Sequence, residues 1–206
     1  MTDIEIQLKY CSNSRQGKTE TPSRMGKRVL RNVEEAYETH FSKYDRSILD
    51  VGCGDALSVA RFNQLGAHAA GIEYVPERVT TAQSHGLEVI QGSVEDLNCV
   101  QPYFNIFCSH VLEHVRNQEK AVKEIQRVAG EIIYILVPIE AGKDAHGNPR
   151  SGNAAHFSPV GSLKQLRNMF DDSIWECVQE EYRFDLEPVG ILVMQRKQAT
   201  PSAWKG

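Results

Sequence analysis

Hydrophobic and polar positions follow two rhythms along this chain: short apolar runs, and longer stretches with helical spacing. Val29, Leu30, Val33, Ala36 and Tyr37 recur at helical intervals, predicting a helix that begins at Pro22 and reaches about Phe41. From there the runs 47–51, 68–73, 87–91, 103–109 and 131–137 read as strands. Helical patterns separate them at 57–66, 76–86 and 111–129. Pro76 and Pro159 stand where first-turn prolines belong, the latter after the capping candidate Ser158, so a last helix is expected over 159–170. The runs 174–183 and 189–196 are close enough to pair as an antiparallel hairpin, and Trp175 in the first of them reads as core or sheet face. Strands alternating with helices imply right-handed βαβ crossovers. The expected fold class is therefore α/β, a doubly wound seven-stranded sheet, mostly parallel with a C-terminal antiparallel hairpin.

Chemistry concentrates where the predicted strands end. The first strand closes in Leu49-Asp50-Val51 and breaks into Gly52-Cys53-Gly54 before an apolar-periodic helix. Glycine permits positive φ and close approach of a ligand, and the following helix start offers free N–H groups. A dinucleotide fingerprint would need glycine at position 57, where this chain has leucine. Glu73 closes the second strand, where a carboxylate can accept both hydroxyls of a ribose. The third strand ends in Gln91-Gly92-Ser93-Val94-Glu95-Asp96-Leu97 and the fourth in Cys108-Ser109-His110. Ligands of open α/β sheets bind at the carboxyl ends of strands. Strands one to four thus converge on one crevice.

Four motifs in this order resemble those of class I S-adenosylmethionine-dependent methyltransferases, whose sheet is Rossmann-like. Leu49-Asp50-Val51-Gly52-Cys53-Gly54 is similar to the first motif, Ile72-Glu73 to the second, and Gly92–Leu97 to the adenine-side motif. Phe104–Val115 resembles the fourth motif of the subgroup with a Leu-Glu-His signature, which includes the ubiquinone-type O-methyltransferases. The resemblance covers roughly residues 45 to 170. It implies S-adenosyl-L-methionine as cofactor and S-adenosyl-L-homocysteine as product. The implied contacts are Asp50, Gly52, Cys53, Gly54, Glu73, Tyr74, Ser93, Val94, Glu95, Ser109 and His110. Two positions depart from the family pattern. Ala56 replaces a third glycine, and Ser93 replaces an aspartate that meets the adenine amino group, leaving that role to Asp96 or a backbone carbonyl.

His110, Glu113 and His114 stand at i, i+3 and i+4, which on a helix would share one face. His110 opens that segment beside the crevice and, with His156, is the candidate catalytic residue, able to orient an acceptor or take its proton. Two imidazoles and a carboxylate also suit zinc, manganese or iron. Ubiquinone-pathway O-methyltransferases and small-RNA 2′-O-methyltransferases are metal-assisted and carry Glu-x-x-Glu-His here, whereas this chain has His110 for the first glutamate. The expectation is structural hydrogen bonding by Glu113 and His114 with no metal. His110, Glu113, His114 and His156 are the candidate ligands should one bind. Residues 138–157 form a long polar, glycine-containing loop over the crevice, with Asn148, Arg150 and His156 expected to read the acceptor.

Length and composition suit a single methyltransferase domain over residues 1–206, with an N-terminal arm and helix over 1–44 and a catalytic core over 45–206. Tyr10 and Arg15 in the arm are placed to act as a lid, and Trp204 lies in a tail. Of 206 residues 41% are hydrophobic and 24% charged, with no apolar run near membrane-spanning length and no signal-peptide pattern at the start. Five scattered cysteines form neither metal-ligand pairs nor a disulfide framework, so a reducing, cytoplasmic setting is expected. A net charge of −4 argues against an obligate nucleic-acid binder, although Arg15, Lys18, Arg24, Lys27, Arg28 and Arg31 form a basic cluster. The leading function is methyl transfer to O or N of a small-molecule acceptor, by a monomer or homodimer. An RNA methyltransferase, a non-catalytic cofactor-binding module and a nicotinamide-dependent oxidoreductase are the alternatives.

Overall fold

A computed structural model describes residues 24–43, 45–140, 142–143, 149–150, 156–184 and 187–198. The elements before the sheet crossing point are α1 (Arg24–Thr39), β1 (Ser47–Val51), α2 (Leu57–Gln64), β2 (His68–Glu73), α3 (Pro76–Ser84) and β3 (Val89–Gln91). Beyond it come β4 (Tyr103–Ser109), a 3-10 turn (Leu112–His114), α4 (Gln118–Val128), β5 (Ala129–Pro138), β6 (Gly142–Lys143), β7 (Pro149–Arg150), α5 (Leu163–Arg167), β8 (Trp175–Phe184) and β9 (Pro188–Arg196). The seven-stranded sheet runs β3-β2-β1-β4-β5-β9-β8, with β3 to β5 mutually parallel. β9 pairs antiparallel with both β5 and β8, so the C-terminal hairpin inserts with its second strand innermost. The expected α/β class and strand list are both realised.

Each central strand is buried on both sides, and its alternation divides the apolar residues between two cores. Leu49, Val51, Ile106, Ile133 and Ile135 face α4 and α5, meeting Ala121, Val122, Ile125, Leu163 and Leu166. Ile48, Phe107, Ile132, Tyr134 and Leu136 face α1 and α2, meeting Val33, Ala36, Val59 and Phe62. On that second side four aromatic rings interlock: Phe62 lies edge-on to Phe107 at 5.3 Å, Phe107 stacks on Tyr134 at 5.5 Å, and Phe41 touches both Phe62 and Tyr134. Helix α1 is thereby part of the layered body, tied further by Arg61 to Glu34 and Arg183 to Glu35. Trp175 is buried, as its sequence context suggested, under the Arg196 guanidinium at 4.7 Å.

Two helices differ from expectation. The pattern over 111–129 becomes a single 3-10 turn, a break, and then α4 from Gln118, because Asn117 caps that helix by accepting from Lys120 N. Ser158-Pro159 does not start a helix either. Helix α5 begins at Leu163 under Ser162, whose hydroxyl accepts from Gln165 N at 3.3 Å. Within the expected loop 138–157, β6 and β7 pair antiparallel. Asn148, Tyr10, Arg15 and Trp204 lie outside the described residues, as do all of 1–23 and most of 144–155. Cys53, Cys99, Cys108 and Cys177 form no disulfide among the described residues, and no helix there is long and apolar enough to cross a membrane.

Candidate active site

Strand order reverses between β1 and β4, which lie side by side while their crossovers run to opposite faces. At the carboxyl ends of these strands opens a cleft of about 1260 Å³. That volume holds a nucleoside-sized cofactor together with a small acceptor. Gly52 and Cys53 N–H both donate to Ile72 O, at 2.8 and 2.9 Å, folding the glycine turn back over the end of β2. Gly52 and Gly54 have φ of 74° and 58°. A Cβ on Gly52 would lie 2.5 Å from Val111 Cγ2, so glycine is needed for space as well as conformation. Ala56 is left-handed too, at φ 58°, a conformation that favours glycine, the residue the resemblance leads one to expect there.

Glu73 is buried at the end of β2. One of its carboxylate oxygens accepts from Gly54 N at 2.8 Å and the other from Val75 N at 2.9 Å. The turn and the strand end are thus held by a single side chain. Asp50, beneath the turn, accepts a short hydrogen bond from Ser58 Oγ. Burial pushes its carboxyl up to about 7; the Ser58 bond opposes this and the nearby Glu73 adds to it.

Every sequence-predicted contact from Asp50 to His110, and His156 besides, lines this one cleft. Like Glu73 and Asp50, two more of them have polar groups engaged within the protein. Ser93 Oγ accepts from Glu95 N at 3.2 Å, and Glu95 Oε1 accepts from Arg116 N at 2.8 Å and Asn117 N at 3.2 Å. Asp96, the alternative adenine partner, is exposed and does not line the cleft; it accepts from the Asn98 side chain at 2.7 Å.

His110 closes β4 with its N–H on Leu136 O at 2.8 Å and its backbone left-handed at φ 56°. It therefore sits on a bend and not at a helix start. Its Nδ1 lies 3.4 Å from Glu113 Oε1, and its Nε2 is buried without a hydrogen bond. Glu113 is 1% exposed, and its Oε2 likewise makes none. Glu113, His114 and His156 bring one ligand atom each to within 4.8 Å of one another; His110 stands outside that trio. A buried carboxylate with an unsatisfied oxygen and two imidazoles fit a divalent cation in donor type and spacing.

Several site residues were not anticipated from sequence. Val111 is the wall against Gly52, Arg78 pairs with Asp55 at 3.6 Å, and Arg116 lies over the exposed Phe157 ring at 6.0 Å. Glu140 binds His156 Nδ1 through a short contact. Its signal was present: like Glu73, it is the first acid after an apolar strand.

Residues 49–131 match the model of a methyltransferase domain family. Among solved structures, the magnesium protoporphyrin IX methyltransferase of Synechocystis, with bound S-adenosylhomocysteine, superposes with a TM-score of 0.66 at 15% identity. The alignment covers 93% of this chain and 99% of that one. The PH0226 protein of Pyrococcus horikoshii OT3 gives 0.69 at 14% identity, covering 85% and 92%. In its fold and in that matched segment the chain resembles S-adenosylmethionine-dependent methyltransferases. Among curated proteins it is similar to ubiquinone biosynthesis O-methyltransferases. That of Rickettsia bellii is 27% identical over 125 residues, 57% of this chain and 52% of its own length. That of Xylella fastidiosa (strain M23) is 42% identical over 76 residues, 33% and 31% respectively. The chain spans between a third and about half of the length of these relatives.

Proposed function

We propose that this chain transfers the methyl group of S-adenosylmethionine to an oxygen or nitrogen of a small-molecule acceptor. The observation that carries the reading is the Glu73 carboxylate, held at the end of β2 against the Gly54 turn at the floor of the cleft. In that position it would accept the ribose hydroxyls, and Gly52 and His110 line the same cleft. Bound there, S-adenosylmethionine would supply its methyl carbon to the acceptor's lone pair, with the C–S bond electrons kept by sulfur in the S-adenosylhomocysteine product. Holding both partners in line supplies much of the acceleration. Where the acceptor is a hydroxyl, its proton must leave. With Nδ1 turned to Glu113, His110 keeps Nε2 to receive it.

Glu113, His114 and His156 are the side chains that would hold a divalent cation at the same rim. Such an ion would supply Lewis-acid polarisation of an acceptor hydroxyl. The ubiquinone biosynthesis O-methyltransferases favour an oxygen acceptor. The basic cluster that would suit RNA falls partly outside the described residues, and Arg28 within it is paired with Glu187 at 3.1 Å. The test is calorimetry with S-adenosylhomocysteine and with NAD, followed by transfer from radiolabelled methyl donor into fractionated metabolite extracts. Binding of the homocysteine product, none of NAD, and label in a small-molecule fraction are the expected results. Label only in RNA would replace the acceptor assignment, and tight binding without transfer would leave a non-catalytic module.

A further inference from the structure

His156 reaches the cleft by an arrangement that fixes its backbone and its ring through separate contacts. Ser158 N donates to Glu113 O at 3.1 Å, Gln118 Nε2 donates to Ser158 O at 2.6 Å, and Glu140 N donates to Val160 O at 2.9 Å. These bonds clip the returning segment 156–160 onto both the 3-10 turn and the end of β5, and none involves the imidazole. The ring is oriented instead by the Glu140 side chain, whose carboxylate receives Nδ1–H. Both side chains are largely buried, at 13% and 9% exposure, so this contact is shielded from water. Donating from Nδ1 leaves the lone pair of the neutral ring on Nε2. The ring meets His114 edge to face, with centroids 4.8 Å apart, next to the carboxylate of Glu113.

We propose that Glu140 is a positioning residue that fixes the tautomer and orientation of His156, so that Glu113, His114 and His156 bind a divalent transition metal. This rests on the metal-holding reading of the trio. The chemistry is that of an outer carboxylate behind a ligating imidazole: it locks the ring and raises its basicity, and removing it lowers metal affinity by about 10- to 100-fold. An ordinary ion pair between Glu140 and His156 would stabilise the loop without that consequence.

The experiment is a competition titration of the full chain against a chromogenic chelator, with Zn²⁺ and then Mn²⁺, for wild type, Glu140→Ala, Glu140→Gln and His156→Ala. Wild type is expected to take up one ion per chain. Glu140→Ala should weaken uptake about 10- to 100-fold. Glu140→Gln, which keeps a neutral acceptor for Nδ1–H, should fall between the two, and His156→Ala should be weaker still. S-adenosylhomocysteine affinity, which reads the β1–β2 end of the cleft, serves as the control for folding. If Glu140→Ala is not folded, Glu140→Gln decides alone. Wild-type metal affinity in both Glu140 variants would remove its role while leaving the metal trio standing. A wild-type chain that binds neither ion would overturn trio and positioning together, yet leave methyl transfer untouched if the homocysteine product still binds.

Discussion

One carboxylate carries much of the site at the residue scale. Glu73 ties Gly54 to the end of β2, and it is also the group proposed to meet the ribose. Glu73→Ala should therefore weaken S-adenosylhomocysteine binding by about 1.5–3 kcal/mol, the range for hydrogen bonds to a charged group. Calorimetry reads this directly, and an unchanged affinity would detach Glu73 from the cofactor. Asp50 makes a different prediction. Its carboxyl is raised to about 7 from an ordinary 3.8, so the folded protein holds this proton to higher pH than the unfolded chain does. Its contribution to stability is greatest in acid and declines as pH rises toward 7. In urea denaturation, wild type should lose stability relative to Asp50→Asn between pH 5 and pH 8, by up to a few kcal/mol; parallel curves would contradict this. The types and order of these residues were legible in the sequence. Their three-dimensional constraints were not: the wall against Gly52 is Val111, which lies 59 positions later.

Among the elements, the strands are the most legible, because burial on both faces demands unbroken apolar runs such as Ile132–Val137. The segment 110–118 reads as helix in the sequence because Val111, Leu112 and Val115 mimic helical spacing. Two local competitors outweigh that spacing. His110 turns left-handed on its bond to β5, and the Glu95 carboxylate captures the N–H groups of Arg116 and Asn117. The consequence reaches the cleft, where Glu113, His114 and His156 come together across a turn and a returning loop instead of along one helix face. β2 carries a second hidden demand. A Cβ on Gly71 would lie 2.5 Å from Cys53 Sγ and 3.1 Å from Val59 Cγ2, so the glycine turn rests on a strand position that has no side chain. Gly71→Val should destabilise the protein by about 1–3 kcal/mol or more through overpacking, and should weaken cofactor binding as the turn lifts. Thermal denaturation and calorimetry on the same variant check both. Retained binding in a destabilised variant would show that the turn does not depend on this contact.

Across the whole molecule, two cores on opposite faces of one sheet hold the strands still, while the cleft is built mainly from the last residues of those strands and the turns and loops beyond them. That division explains the pattern of legibility. Sheet and cores follow from apolar periodicity, a property of short windows, and so the seven strands could be read. The partners of Glu95, Glu140 and Gly52 come from distant loops and could not. It also predicts a global response to ligand. A molecule that binds across the ends of four neighbouring strands stabilises the folded state only, by RT ln(1 + [L]/Kd). At S-adenosylhomocysteine one hundredfold above its dissociation constant this is about 2.7 kcal/mol, or roughly 5–10 °C in Tm for a chain of this size. NAD, lacking a glycine at position 57 to receive its pyrophosphate, should give no shift. The same experiment on Glu73→Ala at equal ligand concentration should give a smaller shift than wild type, because less of the variant is occupied. A full shift in that variant, or an equal shift with NAD, would mean that the ligand's stabilising contacts lie away from the β1–β2 end of the cleft.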